Sequence, residues 1–218
     1  MDIDFATTSS RNNAVIANSM LFTGLEGRAV ADNNFVKNCI YLAQIKADSV
    51  YNSDTRPAEW FDQFAGILWS FGWSLEQQPV VLVQPEFSGS VQDAWRRLAG
   101  PLLTRSQLVQ VEAGLAALEK DAALLDRFTA LSGKTFNSHI FPVSHNANGE
   151  LVVVLSHIRF IKLVLSTGYL FWQVHQPMLQ LDIRARKLVI RRRAIDANRA
   201  SVEQAVRESA RKVEEYEL

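Results

Sequence analysis

The chain has 218 residues, 48% of them apolar and 21% charged, with 23 Lys and Arg against 23 Asp and Glu. These proportions exclude a disordered, collagen-like or disulfide-dense protein and place the sequence among globular chains long enough to bury a substantial core. Charge is uneven along the chain: residues 134–218 hold 13 Lys and Arg against 8 Asp and Glu, and residues 1–133 hold 10 against 15. This mild polarity fits attraction between two layers of one molecule better than binding to a polyanion.

Residues 1–12, MDIDFATTSSRN, are polar and acidic and read as a flexible tail. They lack the basic start and apolar run of a signal peptide, so the expected location is cytoplasmic, or outside the cell after release without a classical signal peptide. Residues 13–218 read as a single α+β domain, with 13–133 mainly helical, 134–193 an antiparallel sheet and 194–218 a helix. Val15, Ile16, Met20, Leu21 and Phe22 fit a short helix or a strand equally well.

From Asp32, read as an N-cap, helical spacing places Val36, Cys39 or Ile40, Ala43, Ala47 and Val50 on one stripe, ending near Tyr51. Cys39 is the only cysteine. It rules out an internal disulfide or a cysteine zinc site, and its apolar setting favours buried packing over a nucleophile. Pro57 and Glu59 open a second helix whose stripe is Trp60, Phe64, Ile67, Leu68 and Phe71, stopped by Gly72. So dense an aromatic stripe reads as core. Residues 73–84 turn to an extended pattern in which Pro79 predicts an edge strand or a broken one. Ser90 caps a helix that Gly100 and Pro101 close, and Thr104 with Gln107 matches a capping box for the helix that follows.

The most apolar stretch, Leu151 to Val174, is long enough to cross a bilayer as a helix, but its β-branched and aromatic content with Ser166, Thr167 and Gly168 in the middle reads as two strands and a turn. A Thr167–Gly168 loop pairs Leu163 with Trp172, Ile161 with Val174 and Phe160 with His175. An Asn148–Gly149 loop pairs Val143 with Val154 and His139 with Ile158, giving a C-terminal antiparallel meander on which the helical half packs. Strand parity puts Leu151, Val153 and Leu155 on one face, interrupted by His157 and Arg159. The opposite face holds Val152, Val154, Ile158, Phe160 and Val164, too apolar to be solvated, and these five residues are the expected interaction surface. Leu179 to Ile183 and Leu188 to Ile190 read as a further strand pair around a basic turn. The closing helix runs from Ile195 to Tyr216 on a thin stripe of Ile195, Val202, Val206 and Val213.

LAQ at 42–44, the Trp60 helix ending in Gly72 and Trp73, the hairpins, GYLFW at 168–172 and the Arg-rich closing helix together resemble a family of small α+β proteins scattered through bacteria and fungi. The resemblance covers most of the chain from about residue 15. It implies this fold and, since no established activity is associated with that family, implies no reaction.

Chemistry has few footholds. Three Ser-His neighbours, at 138–139, 144–145 and 156–157, project to opposite sides of a strand, which separates nucleophile from base. His139 and His175 would share a face roughly 10 Å apart, too far for one metal ion. Phosphate loops and paired catalytic carboxylates are missing, so no catalytic, cofactor or metal residues are assigned. The basic run Arg184, Arg186, Lys187, Arg191 and Arg193 is the candidate polyanion contact, though a solvated turn is favoured because alternation splits it and no aromatic lies within it. Three functions remain. The leading one is a non-enzymatic interaction protein that self-assembles as a homo-oligomer, or binds a protein partner, through the apolar sheet face. The second is a membrane-active, toxin-like protein with an amphipathic β-hairpin, and the third an enzyme with an unrecognised site. Nucleic acid is the least expected partner.

Overall fold

The computed structural model describes residues 14–17, 19–24, 30–128, 131–132, 135–161, 173–174, 180–209 and 215–217. The undecided segment near the start is a hairpin of β1 (Ala14–Ala17) and β2 (Met20–Thr23). Two helices follow, α1 (Val30–Val50) and α2 (Pro57–Ser70). Gly72, at φ +93°, ends α2 in a left-handed turn, and a Cβ there would come within 3.0 Å of Ala194 Cβ. Asp32 does not cap α1. It lies in the first turn, buried, and pairs with Arg192 and Arg199.

Pro79 breaks the next strand into β3 (Ser74–Leu75) and β4 (Val80–Gln84), and both pair with the same edge of β10 (Gln180–Ile190). The proline thus divides an edge strand, as its missing N–H requires. After β5 (Gly89–Ser90), Ser90 Oγ accepts the Asp93 N–H at 3.2 Å and caps α3 (Val91–Ala99). Both halves of the Thr104–Gln107 capping box are formed at the start of α4 (Arg105–Glu119). Asp121 Oδ1 accepts from the backbone of Ala123 and Leu124, so α5 (Ala122–Phe128) starts anew instead of continuing α4.

The sheet is α+β in character but mixed, not wholly antiparallel. With β6 (Leu131–Ser132), β7 (Thr135–His145), β8 (Leu151–Ile161) and β11 (Glu215–Glu217), its order is β11-β1-β2-β7-β8-β10-β3, with β6 on β7 and β4 on β10. The pairing of β2 with β7 is parallel, while β8 is antiparallel to both β7 and β10. The expected helical half of the chain therefore also feeds strands into the sheet, from residues 14–23 and 74–84.

Four expectations are corrected here. The β7–β8 register is one residue off the expected one: His139 faces His157 and Val143 faces Val153, because the turn is the four residues Asn146 to Gly149, closed by Asn146 N–H to Glu150 O and Gly149 N–H to Asn146 O. The strand beside β8 is β10, so Phe160 pairs with Leu181 and Ile161 with Gln180, while β9 (Gln173–Val174) pairs with β5. The remaining proposed pairs around Thr167 and Gly168 lie outside the described residues. β10 runs unbroken for 11 residues through the expected basic turn. Helix α6 (Arg192–Glu208) ends before residue 209, and Glu215–Glu217 form β11 against β1 where helix was expected.

Helices cover both faces. Under α1, α2 and α6 lie Phe141, Val143, Val153, Leu155 and Leu188, packed with Ile40, Trp60, Phe64, Ile195 and Val202. Under α3, α4 and α5 lie Phe136, Ile140, Val154, Ile158, Phe160 and Ile183, packed with Trp95, Val111, Leu115 and Phe128. The expected interaction face is therefore internal. Val152, Val154, Ile158 and Phe160 are each no more than 2% exposed, and Val164 lies outside the described residues. The N-terminal helices split into two layers, one per face, which is why the apolar surplus needs no partner to cover it.

Candidate functional site

Beneath α2, one face of the sheet turns polar. The register sets Asn137, Arg159 and Asp182 in one row across β7, β8 and β10, and His139, His157 and Arg184 in the next. Arg186 follows on β10. Asn137, His139, His157, Arg159 and Asp182 are all buried. Alternation along the same strands sends Phe136, Ile140, Val154, Ile158, Phe160, Leu181, Ile183 and Ala185 to the other face. On that parity Lys187 is the one charged side chain of the three strands, near the end of β10, where it pairs with Glu76 at 3.6 Å.

The polar rows are tied to the α1–α2 connection. Asn137 Nδ2 donates to Asp54 Oδ1, and Arg159 donates to the Asp54 backbone carbonyl. With its NH2 so engaged, Asn137 presents its oxygen to His157 Nε2 at 3.1 Å, which makes Nε2 the protonated nitrogen of a neutral imidazole. Asp182 lies 3.0 Å from Arg184 Nε, and Arg186 reaches Asp62 on α2 with its guanidinium over Phe61.

At the centre, His139 and His157 stack with centroids 4.9 Å apart and planes 9° from parallel. Trp60 lies against both, at 5.3 and 5.0 Å, and stacks on Phe64 at 5.2 Å. Trp60 Nε1 donates to Asp48 on α1 at 2.8 Å. Ser19 Oγ is 3.4 Å from His139 Nδ1, and the Ser19 carbonyl accepts the His139 N–H at 2.8 Å. Burial pushes His139 down to about 4. It also holds His157 well below its ordinary value, helped by repulsion from His139, Arg184 and Arg159.

The basic run is dispersed and engaged. Arg184, Arg186 and Lys187 are on a strand with side chains 16%, 14% and 13% exposed, each beside a carboxylate. The expected solvated turn is thus absent, and these three do not form an open anion-binding patch. Arg191 is exposed and pairs with Glu150, and Arg193 is exposed in the first turn of α6.

The Ser-His neighbours separate as their strand positions require: Ser138 Oγ donates to Phe128 O on the α5 side while His139 faces Trp60. Among the described residues, no group of three or more His, Cys, Asp or Glu could hold a metal ion. His175 lies outside them. The His139–His157 contact was missed from sequence because the expected register put the two rings on opposite faces. The signal that could have found it is Asn146, whose carboxamide oxygen accepts from Asn148 and Glu150 and widens the turn.

No known family profile and no curated protein matches the sequence. A helix-sheathed mixed sheet of this kind is found in a solved delta-endotoxin structure, which superposes on 78% of this chain and 79% of its own length with a TM-score of 0.51 and 12% identity. At that identity the likeness concerns the fold.

Proposed function

We propose that this is a membrane-active, toxin-like protein, in which helical layers sheath a sheet able to enter lipid. The observation that carries the reading is the division of β7, β8 and β10. Each is 11 residues long, the length of a membrane-spanning strand, about 9 to 11 residues. Over one half of the sheet one face is apolar, and the other carries Asn137, His139, His157, Arg159, Asp182, Arg184 and Arg186. A spanning strand needs that separation, because charge on the lipid side is costly and charge on the lumen side is tolerated. Arg159 lies with the other charges, opposite Asp182 on the polar face.

The fold likeness to a delta-endotoxin supports the reading. Among the described residues no helix is long and apolar enough to cross a membrane. The test is dye release from neutral and anionic liposomes at several pH values: release from either supports the proposal, and retention by both throughout overturns it.

A further inference from the structure

We propose that the stacked His139–His157 pair is an acid-sensitive latch: protonating it frees α2 from the sheet and opens the polar face. The latch deepens the membrane reading by naming its trigger, and rests on that reading for its purpose but not for its operation.

The geometry suits neutral rings only. Two imidazoles 4.9 Å apart and nearly parallel, roofed by Trp60 and flanked by Phe61 at 6.2 Å from His157, are buried away from bulk solvent, where a charge loses its hydration. The neighbouring charges are cationic or already engaged. From the sheet, Arg159 on β8 and Arg184 on β10 adjoin the pair, and Arg186 stands beyond over Phe61. Asp182 on β10 is held by Arg184, Asp54 on the α1–α2 connection by Asn137, Asp62 on α2 by Arg186, and Asp48 on α1 accepts from Trp60. From the β1–β2 turn the group is Ser19, which is neutral. Among the described residues no carboxylate hydrogen-bonds either ring, so an imidazolium there would meet repulsion without compensation.

Both histidines are held below their ordinary value. An opened state, with normal imidazoles, therefore binds protons that the closed state refuses, and acid favours opening. For His139 alone, depressed from 6.5 to about 4, the opening equilibrium should rise about tenfold at about pH 5.5. Because Trp60 ties the pair to α2 and to α1 through Asp48, the α1–α2 layer is the part released, while α3 and α4 on the opposite face are untouched.

The experiment is hydrogen exchange of the intact protein without lipid between about pH 7.5 and about pH 5, corrected for intrinsic exchange rates. Protection of α2 is expected to fall with pH while that of α4 holds, and His139→Gln with His157→Gln is expected to flatten the response. An unchanged α2, or an equal response in the double variant, overturns the latch. If the double variant does not fold, the wild-type ring protons decide by NMR: titration near the ordinary histidine value overturns the proposal, and resistance to protonation until opening supports it. Liposome release is scored separately. Acid exposure of α2 with no dye release leaves the latch standing and sinks the membrane reading. Release that is equal at both pH values while α2 stays protected does the reverse.

Discussion

Trp60 is the residue through which α1, α2 and the polar rows meet, since its ring covers two histidines and its N–H reaches Asp48. Trp60→Ala is expected to lower stability by about 3 to 5 kcal/mol, the usual cost of truncating a buried aromatic, measured as a shift in the urea midpoint. The histidines set a pH dependence whose sign follows from their depressed values. Their neutral burial contributes stability in full above the ordinary histidine range, and that stability is lost as pH falls from about 6.5 towards the folded value. For His139, held at about 4, the loss is about 3 kcal/mol by that pH, so the urea midpoint should drop over this window. Cys39, 0% exposed and pushed up to about 12 by burial, should resist thiol reagents in the folded protein; rapid labelling at mild alkaline pH would contradict its placement. Its burial was legible from helical spacing. So was the placing of His157 on the face of Leu151, Val153 and Leu155, where it bonds to Asn137. Its stacking on His139 was not, since one extra turn residue moves every side chain of β7 to the other face.

Capping signals and stripes made the helices legible almost element by element: Ser90, the Thr104–Gln107 box, Pro57 and Gly72 all mark boundaries that formed. Gln107 adds a contact that no local signal announces. Its Nε2 donates to the carbonyl of Pro142, a proline within a central strand, and so fixes the start of α4 against β7. Strand β10 was misread because Arg184, Arg186 and Lys187 look like a turn when their partners are unknown. Period-two alternation of Leu181, Ile183 and Ala185 with Asp182, Arg184 and Arg186 was the better guide, and Asp62 and Glu76 compensate the charge from distant segments. Reversing Arg184, Arg186 and Lys187 to Glu should therefore destabilise the fold by several kcal/mol, on the order of the cost of breaking partly buried pairs. An unchanged urea midpoint would mean that these side chains are solvated. The β1–β2 hairpin and β11 were not legible: four-residue and three-residue strands carry too few positions for a period, and they form by adding to an existing edge.

At the scale of the whole molecule, two helical layers enclose a sheet that is amphipathic over half its area. The surplus of apolar side chains on both faces was plain in the sequence, but not whether one chain could cover them. That depended on α1, α2 and α6 going to one side and α3, α4 and α5 to the other. Phe160→Glu should consequently unfold the protein instead of dissociating an oligomer, costing about 4 kcal/mol or more as a buried unpaired charge does. Loss of the cooperative thermal transition is the expected reading, and a folded variant of smaller mass would point back to an intermolecular face. Sheet entry into lipid is tested most directly by an environment-sensitive probe at Ile158→Cys and, separately, at His157→Cys, each in a Cys39→Ala background and mixed with liposomes carrying spin-labelled acyl chains. With Ile158 facing the apolar side and His157 the polar side, the probe at 158 is expected to be quenched by the acyl chains and the probe at 157 by an aqueous quencher. If neither probe meets lipid while the liposomes leak, or both stay shielded by their helices, the sheet is not the inserting element.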